Sequence, residues 1–297
     1  MSAPFNARAA IKGRKLKYDP ARHLSKFESA AVAKKRTRRL ISILYRQGNL
    51  PSYYLANALS DCGRRVNGER HYCGLSSCAD CMRHVRRWFT NEVAELAQPF
   101  KRTSGKHGVS VTIILSGLRA PIGGLHKIDI AKLNRRMKRA FARLALGLPI
   151  IGAIDVSFND EAGSKEAGHY QVHFVLYVVG HPASKRSLRR LNDHISSCLR
   201  LEARAYVPVQ AKPFRNPVRQ GSYILKFRFD KRLSFIRQDG RRGTRKFGLK
   251  PPQLAEIALW LKPWPPLDRV VLHGVQLHQN RLVLRPHPKR GRRGTKP

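Results

Sequence analysis

Acidic residues are scarce in this chain: 18 Asp and Glu stand against 59 Lys and Arg, for a formal net charge of +41. A surplus of that size, spread along the whole length, calls for a polyanionic partner, and nucleic acid is the expected one. Long apolar runs are missing as well. No stretch of about 18 apolar residues occurs, and no apolar segment follows the early charges, so neither a membrane span nor an export signal is expected. A soluble protein of the cytoplasm is the corresponding expectation. There is no phosphate-binding P-loop, so a helicase motor would have to come from a partner. Internal repeats are absent too. Cysteine is limited to five residues, and their clustering suits metal chemistry better than the paired disulfides of an exported scaffold.

What remains is ample for a folded protein. The 297 residues are 42% hydrophobic, enough for one large or two modest domains with a real core. Residues 1–40 hold twelve Lys or Arg against Asp19 and Glu28 and read as a basic arm, helical toward its end, with its first twenty residues a solvated tail. Residues 41–104 read as helical, with two short helices leading into the cysteines. A longer amphipathic helix follows over Met82–Ala97, placing Val85, Trp88, Phe89, Val93 and Leu96 opposite Arg83, Arg86 and Arg87.

Past Gly105 the texture turns to strand. Val109–Leu115 is β-branched, a helix from Asp129 to Leu146 carries Leu133, Met137, Phe141 and Leu144 as its stripe, and Ile150–Phe158 forms a second strand. That strand turns through Asn159–Gly163 into a third, His169–Val179. A helix over 184–205, a short edge strand at Val207–Val209 and a helix around Ser222–Phe227 complete a domain spanning 105–235. Residues 236–284 form a C-terminal extension with no motif attached, and 285–297 a basic tail of six Lys or Arg without an acid. This order of elements predicts an α+β fold, a central antiparallel sheet with packed helices, preceded by a Cys-rich zinc segment.

Three groups of residues carry chemistry. Cys62-x10-Cys73-x4-Cys78-x2-Cys81 can close a tetrahedral zinc site of structural type, with His71 or His84 as alternatives for one cysteine, whereas Cys198 reads as an ordinary core cysteine. On the third strand, alternation puts His169, Gln171 and His173 on one face, away from Val172, Phe174, Leu176 and Val178. Asp155 sits between Ile154 and Val156, where an unpaired carboxylate is costly; a metal ion or a bridging arginine would compensate it. Tyr223 and Lys226, three apart, would share a helical face, with Arg228, Lys231 and Arg232 flanking as phosphate contacts.

The order of these motifs resembles the rolling-circle replication initiators of small bacterial plasmids, members of the HUH endonucleases. The similarity covers about residues 60–230. Val109–Leu115 resembles the family's first motif, Ile154-Asp155-Val156 its carboxylate strand, Gln171-Val172-His173 its His-hydrophobic-His motif and Tyr223-Ile224-Leu225-Lys226-Phe227 its tyrosine helix. Asp61-Cys62-Gly63, Cys73 and Cys78-Ala79-Asp80-Cys81 resemble its cysteine segment. The resemblance implies that Tyr223 nicks one strand of single-stranded or extruded origin DNA and keeps the 5′ phosphate. It also implies that Asp155, Gln171 and His173 hold Mg²⁺ or Mn²⁺, with His169 in reserve, and that host helicase and polymerase are partners. Departures are the Gln at 171, Asp in place of Glu at 155, Phe227 in place of a second tyrosine, and no proline within the last cysteine pair. A single-strand transposase or mobilisation relaxase of the same type, or a non-catalytic zinc-containing DNA-binding protein, are the alternatives.

Overall fold

A computed structural model describes residues 5–104, 108–144, 148–162, 168–199 and 209–285. Four helices open the chain: α1 (Ala7–Ile11), α2 (Pro20–His23), α3 (Ala30–Arg46) and α4 (Leu50–Ser60). A small hairpin of β1 (Arg65–Val66) and β2 (Glu69–Arg70) leads to the long α5 (Ala79–Ser104). The middle of the chain supplies β3 (Gly108–Pro121), α6 (Ile130–Leu144), β4 (Ile150–Glu161), β5 (His169–Val179) and α7 (Lys185–Leu199). Then follow β6 (Val209–Pro213), α8 (Pro217–Ile224), β7 (Asp230–Ile236), β8 (Arg242–Gly248), α9 (Pro251–Leu261) and β9 (Val270–His273), before a last hairpin of β10 (Val275–His278) and β11 (Arg281–Leu284).

The main sheet runs β6-β3-β5-β4-β7-β8, with β9 also on β4. It is mixed rather than wholly antiparallel, because β4 and β7 run parallel. The connection from β4 to β7 runs through β5, α7, β6 and α8, ample for the crossover a parallel neighbour needs. β4 and β5 form the spine and are buried along nearly their whole length. Their alternation sorts two cores. Val172, Phe174, Leu176 and Val178 pack with the inner residues of α6, α7 and α9, while Val175, Tyr177 and Val179 join Ile151 and Ala153 under α5 and α8. Each such side chain taken from water contributes about 1.5–3 kcal/mol. The α6 stripe of Leu133, Met137 and Phe141 is buried, and Asp129 Oδ1 accepts from Lys132 N at 3.0 Å at the start of that helix. Cys198 packs at the edge of the first core, as expected.

Two expectations about chain organisation change. The first twenty residues are not a solvated tail from Phe5 onward: Ala7, Ala10 and Leu16 are buried, and the Phe5 ring lies 4.5 Å from that of Trp88. Arg14 pairs with Glu92 at 2.8 Å and Arg87 with Asp19 at 2.5 Å, so the supposedly outward arginine side of α5 is the seat of the arm. The boundary near 235 does not separate two folding units either, since β7, β8 and β9 belong to the main sheet and α9 to its core. The expected helix at 184–205 is described only to Leu199; residues 200–208 and the tail from 286 lie outside the described residues.

Candidate metal centre and catalytic cleft

The four clustered cysteines come together. Their Sγ atoms lie within 4.8 Å of one another, with Cys62–Cys81 at 3.5 Å, Cys62–Cys78 at 3.6 Å and Cys73–Cys81 at 3.7 Å. Thiolates bound tetrahedrally at about 2.3 Å stand roughly 3.8 Å apart, whereas a disulfide needs about 2.05 Å. The cluster is therefore one that can bind a metal such as zinc. Neither His71 nor His84 belongs to it.

The loose x10 spacing has a local cause. Asn67 and Gly68, at φ 49 and 81, make the two-residue turn of the β1–β2 hairpin, and Gly63 N donates to His71 O at 2.7 Å below it. The ten residues thus fold back and deliver Cys62 and Cys73 side by side. Cys78 stands at the entry to α5 and Cys81 in its first turn, where the helix dipole favours thiolate. Asn67-Gly68 is the sequence signal that would have shown this.

The second site lies midway along the β4–β5 pairing. Asp155 stands directly opposite His173 in register, with Ser157 opposite Gln171 and Asn159 opposite His169. Asp155 is fully buried; its Oδ2 is 3.1 Å from His173 Nε2 and 2.8 Å from Lys226 Nζ. Burial pushes the carboxyl upward, but the charges of Lys226 and His173 outweigh it and hold the group well below its usual range. Burial likewise pulls Lys226 down and Asp155 more than restores it, so the net direction is up. Compensation comes from a lysine rather than one of the many arginines.

Gln171 sits in a bulge, where β5 residue 172 faces the four residues of β3 between Ile114 and Arg119. Its Nε2 donates to the carbonyls of Leu115, Leu118 and Val172 at 3.1, 3.4 and 2.9 Å, so the amide nitrogen is spent on backbone and the amide oxygen is the atom that would serve a cation. His169 is four residues from His173, about 13 Å along the strand. It is not brought to the Asp155–His173 pair; among the described residues, the cysteines are the only cluster of three or more His, Cys, Asp or Glu gathered closely enough for one ion. A divalent cation does suit what remains: Asp155 Oδ1 is buried without a hydrogen-bond partner, beside His173.

α8 begins at Asn216, whose side chain caps Arg219 N, with Pro217 in the first turn, a start signal plain in the sequence but not read. It ends at Ile224, so Tyr223 and Lys226 do not share a helical face. The chain extends instead because Leu225 and Phe227 bury into the core beneath α5, which turns Lys226 toward Asp155. Lys226 Nζ nevertheless lies 5.3 Å from the centre of the Tyr223 ring. That ring is 40% exposed and, with His173, lines a cleft of about 350 Å³. The sheet face of the cleft is Ser110, Thr112 and Ile114 on β3 with Gln210 and Lys212 on β6, and Arg232 enters from β7. Of the three flanking cations expected, only Arg232 reaches it: Lys231 pairs with Asp160 at 2.6 Å, and Arg228 lies 3.7 Å from Asp230.

Sequence reasoning missed Arg269. β4 pairs with β9 over residues 150–153 and with β7 over 158–161, leaving a gap at Asp155. Arg269, 1% exposed, fills it, donating from Nη2 to Ile154 O at 3.1 Å and Lys226 O at 3.3 Å. Burial pulls this guanidinium down to about 10, with Asp155 opposing. No family model, no curated protein and no solved structure matches this chain. Among the described residues, no helix is long and apolar enough to cross a membrane.

Proposed function

We propose that this protein initiates rolling-circle replication of a plasmid by nicking one strand of the origin, with Tyr223 as nucleophile. The observation that carries the reading is that Tyr223, His173 and the cations Lys212 and Arg232 face one cleft, with Lys226 and Asp155 behind them. The phenolate oxygen of Tyr223 attacks the scissile phosphorus, the bond from phosphorus to the 3′ oxygen breaks, and that oxygen takes up a proton. The 5′ phosphate stays on Tyr223, so the energy of the broken strand is kept for rejoining.

Lys226 places a cation against the ring of the attacking tyrosine, and Lys212 and Arg232 hold the phosphate oxygens where charge builds up. Asp155, His173 and the oxygen of Gln171 would hold Mg²⁺ or Mn²⁺, whose chemistry is to polarise the phosphate as a Lewis acid. The cysteine cluster carries Zn²⁺ in a structural role. Host helicase and polymerase complete the reaction in the cytoplasm.

The test is incubation of the full chain with single-stranded origin DNA and Mn²⁺, followed by a denaturing gel. A covalent protein–DNA adduct is expected, and Tyr223→Phe should abolish it while binding stays nearly intact. Undiminished adduct from the variant would exclude Tyr223 as the nucleophile.

A further inference from the structure

Three tyrosines outside the cleft are exposed where core packing gives them no reason to be. Tyr45 at the end of α3 and Tyr53 and Tyr54 on α4 are 43%, 52% and 60% exposed. The inward side of α4 is already filled by Ser52, Leu55, Ala56 and Leu59. The rings form one group, with centroids 5.7 Å apart for Tyr45–Tyr53 and 6.4 Å for Tyr53–Tyr54, and Lys262 Nζ lies 5.8 Å from the Tyr54 ring. Tyr45 is held in place by donating to Asn57 Oδ1 at 2.7 Å.

The surroundings say what such a group can meet. Residues 30–60 contain six Lys or Arg and no acidic residue. At 100° per residue, the exposed Lys34 and Arg38 fall within 20° of Tyr45 on α3 and Lys35 within 80°. The opposite side of the helix abuts the nucleophile's segment, where Arg36 Nη2 donates to Phe227 O at 3.4 Å, one residue beyond Lys226. Tyr45 is nine residues further along, roughly 13.5 Å of helix. Exposed cations leading along α3 to bare aromatic faces match a strand whose phosphates and unstacked bases are both available. A duplex offers phosphates but hides its base faces.

We propose that Tyr45, Tyr53 and Tyr54, with the cation row of α3, form a stacking platform for the unpaired DNA strand that runs to or from the Tyr223 cleft. The assignment of DNA rests on the function proposed above; the binding measurement below does not require nicking. The full-length protein is titrated against fluorescein-labelled oligodeoxythymidylate and, at the same salt, against a labelled duplex of equal length. Replacing Tyr53 and Tyr54 by Ala should weaken single-strand binding about tenfold or more, as loss of base stacking does, and leave duplex binding unchanged. Tyr→Phe at the same two positions keeps the ring faces and should keep the affinity. Unchanged single-strand binding by the Ala variant, or equal loss on both DNAs, overturns the platform. If the wild type shows this tyrosine-dependent preference yet forms no covalent adduct, the nickase fails and the platform stands; an adduct with no such preference reverses that outcome.

Discussion

A carboxylate buried beside aliphatic side chains persists only where its charge is offset, and Asp155 has both an ammonium and an imidazole within 3.1 Å. Its folded-state pKa lies below the ordinary 3.8, so its contribution is present above that value and is lost as pH falls through the lower one. Lys226 is raised above 10.5, so its contribution is present below that value and is lost as pH rises through the higher one. Between the two the pair is intact. Asp155→Asn should therefore cost about 3–5 kcal/mol at neutral pH, because it strands a buried ammonium. Adding Lys226→Met should recover part of that loss. Urea unfolding of the two variants checks this; equal midpoints for wild type and Asp155→Asn would mean that the ion pair does not hold the strand. The sequence exposed Asp155 and His173 through plain alternation on two strands. It hid Lys226's role, since a lysine three residues after a tyrosine reads as helix until the burial of Leu225 and Phe227 is known.

At the level of elements, legibility followed the contrast between faces. β5 alternates between two well-marked cores and was readable, as was α6. β7 runs Asp230-Lys231-Arg232-Leu233-Ser234-Phe235-Ile236 with none of its residues fully buried, so its pattern carried no strand signal. The β1–β2 hairpin escaped notice because two-residue strands leave no periodicity; only its turn is diagnostic. That turn supports a prediction. Gly68 adopts φ 81, which a β-branched residue resists, so Gly68→Val should loosen the alignment of Cys62 with Cys73. Zinc should pass to a competing chelator faster than from wild type, with the far-ultraviolet spectrum unchanged; an unaltered transfer rate would detach the hairpin from the metal centre.

Over the whole molecule, long-range pairing decided what could not be foreseen. Arg14 meets Glu92 and Arg87 meets Asp19 across most of the N-terminal third, and no local pattern announces such partners. Cys78 and Cys81 lie in a cluster with Leu40, Ile43 and Leu44 of α3, Leu55 and Leu59 of α4, and Ala255 and Ala258 of α9. If the centre holds zinc, its binding energy is folding energy for four helices at once, so chelation should lower the thermal midpoint by several degrees, and calorimetry with and without chelator measures it. The net charge of +41 predicts steep salt dependence: with six to ten phosphate contacts, DNA affinity should drop by about 10³–10⁵ between 50 and 200 mM salt. A flat salt profile in fluorescence anisotropy would contradict a phosphate-dominated interface.

Arg269 makes the Asp155 site depend on a distant stretch of chain that contributes none of the groups proposed to react. A fragment ending after β8 would still contain Tyr223, Asp155, His173 and Lys226. It would lack the guanidinium that tethers the carbonyls of Ile154 and Lys226 across the gap in the sheet. Proteolytic trimming from that side would then loosen the site while sparing each residue a motif search inspects, and translation would have to run past position 269 before it could set.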